Sequence, residues 1–158
     1  MKIELKKITN YQCEYTLTRD DQSLERITLE TKTFLLHDIC HFAVENNLEY
    51  KKGFWGMLSQ GYTFSELFGK NNPQTEELRF IEQVVGPIQS VYSGHILKQD
   101  FEQYIKHLNF TMTENILERC LADIRAIIEK WEQLAVEQQL ILEFNLQNEN
   151  ITTNRQQG

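Results

Sequence analysis

Two of the chain's four histidines, His37 and His41, stand four positions apart in Leu36-His37-Asp38-Ile39-Cys40-His41-Phe42-Ala43-Val44-Glu45. The apolar spacing of this stretch is that of an amphipathic helix, so both rings leave the same side about one turn apart. Two imidazoles placed in this way can share one divalent cation such as zinc, each through a nitrogen at about 2.0–2.1 Å. A stable site needs at least one more protein ligand. Glu45 does not qualify on a straight helix, because it lies roughly 12 Å along the axis from His37 at about 1.5 Å per residue. The third donor must come from elsewhere. His95, His107, Glu66, Glu76, Glu77 and Glu82 are the candidates, and spacing alone does not choose among them.

His37 and His41 are therefore the candidate metal ligands, with Asp38 and Glu45 as the candidate catalytic or orienting carboxylates. An acid beside a liganding imidazole fixes its tautomer or takes a proton from the reacting group. His37-Asp38-x-x-His41 is similar to the H-E-x-x-H motif of metalloproteases, with Asp in place of the general base. Losing one methylene would draw that carboxylate back by about 1.5 Å, enough to blunt general-base catalysis, which works within hydrogen-bond reach. The further ligand of those enzymes is also missing, so the motif does not indicate a peptidase. The competing reading is structural: partly buried rings bonded to Asp38, Glu45 or backbone carbonyls would brace the helix. A third use needs no metal, with a His–Asp acid–base pair working beside Cys40 or Tyr62. Cys40 falls in the apolar arc of the helix and reads as a small hydrophobe.

The elements that must position these residues form an α+β pattern. Ile3 and Leu5, then Cys13, Tyr15 and Leu17, then Ile27 and Leu29 recur with period two, giving an N-terminal antiparallel meander with turns near Thr9-Asn10 and Asp20-Asp21. Such a sheet has one apolar face and needs helices across it. The histidine helix, expected from about Leu35 to Leu48, is the first of about five. A short helix between Gly53 and Gly61 and another after a Thr63–Glu66 capping box come next. Asn72-Pro73 is expected to open a longer helix, with Leu78, Ile81, Val84 and Val85 on its apolar side and a kink or break at Gly86-Pro87. A polar helix through Phe101 and Ile105 follows. Thr111-x-x-Glu114 predicts the start of a broad-striped helix through Leu117, Leu121, Ile124, Ile128 and Trp131, the central support of the helical layer. The alternation of Leu140, Leu142, Phe144 and Leu146 predicts a strand returning to the meander. One domain over residues 1–147 and a polar tail over 148–158 complete the expected organisation.

Composition narrows the function. In 158 residues, 41% are hydrophobic and 11% aromatic, enough for a real core. Acidic residues outnumber basic ones 23 to 16, for a net charge of −7. That balance disfavours nucleic acid and anionic membrane as partners. Three dispersed cysteines without a C-x-x-C pair suit reduced thiols. No apolar run has the ~18 residues of a membrane span. A soluble, cytoplasmic protein is expected.

The meander, then H-D-x-x-H-x-x-V-E (His37, Asp38, His41, Val44, Glu45), then G-F-x-G-x-x-x-x-G (Gly53, Phe54, Gly56, Gly61), and finally a Trp131-bearing helix and alternating strand resemble a group of small uncharacterised bacterial proteins. The resemblance implies a bacterial cytoplasmic origin and supports the final strand, but carries no activity. Two expectations from different classes follow. One is a divalent-metal protein, zinc being the first candidate cofactor, with hydrolase-like chemistry on a small molecule. The other is a non-catalytic interaction module, a homodimer included, whose acidic helices meet a protein partner and whose histidines are structural.

Overall fold

The computed structural model describes residues 1–146, so the expected polar tail lies outside the described residues. Three strands, β1 (Lys2–Thr9), β2 (Gln12–Thr18) and β3 (Leu24–Glu30), form the meander, and β4 (Gln139–Glu143) returns to pair with β1. The sheet order is β3-β2-β1-β4, with antiparallel neighbours throughout. Period-two alternation places Leu140, Leu5, Tyr15 and Ile27 in one row across the sheet, beside Ile3 and Leu17. Ile3, Leu5, Tyr15 and Leu17 are no more than 1% exposed, and this face carries the helices.

Among the described residues six α-helices cover it: α1 (Leu36–Asn47), α2 (Phe54–Ser59), α3 (Phe64–Phe68), α4 (Glu76–Tyr92), α5 (Phe101–Ile105) and α6 (Glu114–Gln133). The α+β architecture is as the periodicities predict. The α1 helix packs against α4 and α6, so it runs through the interior of the helical layer. Lys7, on the covered face, donates to the carbonyls of Trp131 and Leu134 at 2.8 Å each and closes the C-terminal end of α6.

Three local expectations differ from what forms. Thr75, not Asn72, caps α4, its hydroxyl accepting from Leu78 N at 3.1 Å. Asn72 is used instead in a tight turn, its Oδ1 accepting from Gln74 N at 3.0 Å, and Gln74 takes a positive φ of 47°. The start of α6 moves two residues along, because Thr113, and not Thr111, accepts from Ile116 N. Finally, α4 runs unbroken through Pro87. Proline forgoes the bond to the Gln83 carbonyl, but Gly86 has no Cβ to collide with the proline ring. Fully buried Val84, Val85 and Ile88 anchor the helix on both sides of it.

Candidate metal centre

The positions of the two histidines follow from which side of α1 faces α4. Ile39, Cys40, Ala43 and Val44 fill the core, and the neighbouring flank carries His37, His41 and Glu45. On α4 the apolar stripe of Leu78, Ile81, Val84, Val85 and Ile88 faces inward, leaving Glu82 and Gln89, two turns apart, along its border. The helices run antiparallel, so the two borders meet. His37 reaches Gln89 and Glu82, while His41, one turn on, reaches Glu82.

The Glu82 carboxylate stands between the rings, with Oε2 at 3.3 Å from His37 Nε2 and Oε1 at 2.8 Å from His41 Nε2. The imidazoles pack edge to face, with centroids 4.7 Å apart. His37, His41 and Glu82 each offer one ligand atom, and these atoms lie within 4.8 Å of one another. This group could hold a metal ion.

Each ring is held through its other nitrogen. His37 Nδ1 is 2.9 Å from Gln89 Oε1, and His41 Nδ1 is 2.9 Å from Glu45 Oε2. Glu45 is wholly buried, and its carboxylate also accepts from Phe54 N at 2.9 Å and Gly56 N at 3.0 Å. The glycine-rich segment after α1 explains that reach. A Cβ on Gly53 would stand 2.3 Å from Glu45 Cδ, so only glycine lets the backbone close over the carboxylate. Glu45 thus orients His41 from behind and does not face the cleft.

Asp38 takes a different place. Its Oδ2 accepts from Tyr15 OH at 2.8 Å, and its backbone carbonyl accepts from Trp55 Nε1 at 2.9 Å. Tyr15 rises from the sheet and stacks on Trp55, so the sheet itself fixes this carboxyl. Burial pushes Asp38 up to about 6, although the Tyr15 bond and the two histidines pull the other way.

The electrostatics of the triad favour charge separation. Burial lowers the pKa of His41, but bonds to Glu45 and Glu82 and their charges outweigh it and hold the imidazole up at about 10. His37 is raised by its bond to Glu82, against burial and the neighbouring His41. Burial raises Glu82, yet its bonds to both histidines hold it well below the usual carboxylate range.

The triad forms part of the wall of a cleft of about 760 Å³, which Asp38 also lines. Phe34, Phe54, Phe68 and Leu67 make much of the remaining wall, and Arg79 and Gln83 project from α4 beside Glu82.

Comparison with protein-family models, with curated proteins and with solved structures finds no match to this chain.

Of the third-ligand candidates, the structure brings Glu82 alone to the two histidines among the described residues. Glu66 closes the capping box of α3, Glu77 pairs with Lys52, and exposed His107 bonds Gln83. His95 and Glu76 are exposed. Gln89 had no mark as a site residue except its position seven residues after Glu82 on the same helical border. Cys13, Cys40 and Cys120 are buried free thiols pushed up to about 12 by burial, which suits packing and not nucleophilic use.

Proposed function

We propose that His37, His41 and Glu82 bind one divalent cation, zinc first, and that the site supports hydrolase-like chemistry in the adjoining cleft. One observation carries this reading. Both Nε2 atoms converge on a half-exposed carboxylate while both Nδ1 atoms are already engaged by Gln89 and Glu45. Second-layer partners of this kind orient liganding histidines and raise their basicity. Two histidines and one carboxylate form a donor set used by catalytic zinc sites, which keep a further position open. Donors on a tetrahedral zinc at about 2.0–2.1 Å lie roughly 3.4 Å apart, so a modest inward rotation closes this group. Glu82, with its side chain 51% exposed, has the freedom to make that rotation.

A bound cation of this class supplies Lewis acidity and lowers the pKa of a coordinated water. The chain's own residues would do the rest. Asp38, at the cleft wall and held by Tyr15, is the group placed to take up a proton near neutrality. Glu45 keeps His41 in register, and the aromatic wall limits water.

The alternative, in which the histidines are structural in a non-catalytic module, draws on the same ion pairs: Glu82 already joins both rings without a metal. Metal analysis of untagged protein separates the two readings. About one equivalent of Zn²⁺ or Mn²⁺ per chain, lost in the His37→Ala/His41→Ala double variant, is the expected result. Sub-stoichiometric metal, unchanged in that variant, would overturn the proposal.

A further inference from the structure

We infer that the cleft beside the His37–His41–Glu82 group binds a small carboxylate with an apolar, preferably aromatic, body, its acid group held by Arg79. The inference rests on the metal reading above, and it adds the ligand class.

Arg79 lies three residues before Glu82 on α4, hence one turn away on the same helix surface. It is the single arginine or lysine in the cleft wall, and among the described residues it makes no salt bridge. An unpaired guanidinium in a chain of net charge −7 has many acidic groups it could have met, yet it faces the cleft. Its planar fork matches a carboxylate bidentately. Asp38 and Glu82 both line the cleft with acid groups, which favours a singly charged ligand over a phosphate dianion.

The aromatic part of the lining sets the body of the ligand. Phe54 lies 5.8 Å from His41, Phe68 lies 5.4 Å from Phe54, and Phe34 lies 5.5 Å from Phe68, ring centre to ring centre. This series of rings leads from the histidines to Phe34, and Phe68 within it remains 40% exposed. An aromatic series left open on one side of a cleft is a surface for apolar contact. The cleft's volume of about 760 Å³ lies in the range of small-molecule sites.

The test uses the full chain loaded with one equivalent of Zn²⁺, and titrates 4-phenylbutyrate, its primary amide and butyrate by calorimetry. Zinc affinity is measured in parallel by chelator competition for wild type and Arg79→Gln. Saturable binding of 4-phenylbutyrate is expected, with the amide and butyrate each at least ~10-fold weaker. Arg79→Gln should lose a similar factor for the acid while keeping zinc affinity within about twofold, because it removes no metal donor. Phe68→Ala should narrow the gap between 4-phenylbutyrate and butyrate. If wild type takes up no zinc, the metal reading fails and this inference falls with it. If zinc binds but the amide equals the acid, or Arg79→Gln changes nothing, this inference alone is overturned.

Discussion

His41 Nδ1 stands 2.9 Å from Glu45 Oε2, one turn further along α1, where Glu45 is wholly buried. Glu82 Oε1 sits 2.8 Å from Nε2 of the same ring. A carboxylate at each nitrogen requires a proton on each, so the metal-free ring is an imidazolium, in keeping with its position at about 10. Metal binding must displace the Nε2 proton. At pH 7, calorimetry in buffers of different ionisation enthalpy should therefore show at least about one proton released per ion. Apparent affinity should rise roughly tenfold per pH unit between pH 7 and about 9. No proton release on binding would contradict the imidazolium assignment.

The same group makes metal-free stability depend on pH. The folded pKa of His41 lies above the ordinary 6.5, so its stabilisation is complete below 6.5 and is lost as pH rises through about 10. The Tm of metal-free protein should fall by more than about 5 °C from pH 7 to pH 10. Zinc-loaded protein should lose distinctly less over that window, and the difference between the two melting curves is the measurement.

Glu82 is half exposed, and its carboxylate meets the rings of both His37 and the buried His41. Glu82→Gln removes the charge that holds both rings, so the metal-free Tm should fall by roughly 3–10 °C, while zinc affinity drops more than ~100-fold, beyond what loss of a second-layer partner costs. Glu66→Gln serves as the control and should stay within about twofold. Equal effects of the two substitutions would remove Glu82 from the ligand set.

Glu45 joins the His37–His41–Glu82 group to the core. Glu45→Ala leaves the Phe54 and Gly56 amides and His41 Nδ1 unpaired in the interior, a change worth about 3–5 kcal/mol of unfolding free energy. Glu45→Gln keeps the shape and should lower zinc affinity about 10- to 100-fold. Gly53→Ala, whose Cβ would collide with Glu45 Cδ, should weaken both stability and zinc binding without touching a ligand. Urea melts paired with chelator competition read both quantities.

Asp38 is a buried carboxyl that the fold tolerates at a cost. Its folded pKa of about 6 exceeds the ordinary 3.8, so the native state holds more protons and loses stability as pH rises from about 4 to 6. Asp38→Asn can still accept from Tyr15 and should stabilise metal-free protein at pH 8 by roughly 2 kcal/mol, with little gain at pH 4. A gain over wild type no larger at pH 8 than at pH 4 would show that burial of this charge costs nothing.

What the amino-acid order decided was local. Four-residue spacing put His37 and His41 on one side of a helix, period-two alternation paired the strands, and Thr63 with Glu66 closed a capping box. These depend on contacts a few residues apart, or on a burial pattern written directly into the chain. The ends of α4 and α6 were less legible, because Asn72, Thr75, Thr111 and Thr113 can all serve as caps and local competition chose between them. Which acidic residue meets the two histidines was a tertiary decision. Glu66, Glu76, Glu77 and Glu82 are chemically equivalent in the sequence, and only the antiparallel packing of α4 on α1 carries Glu82 across 41 residues to His41. Tyr15 reaches Asp38 from the sheet, and Glu45 is enclosed by the Gly53–Gly56 segment, for the same reason. Donor convergence depends on how separate elements pack, and helical or strand periodicity records only which side of each element is buried.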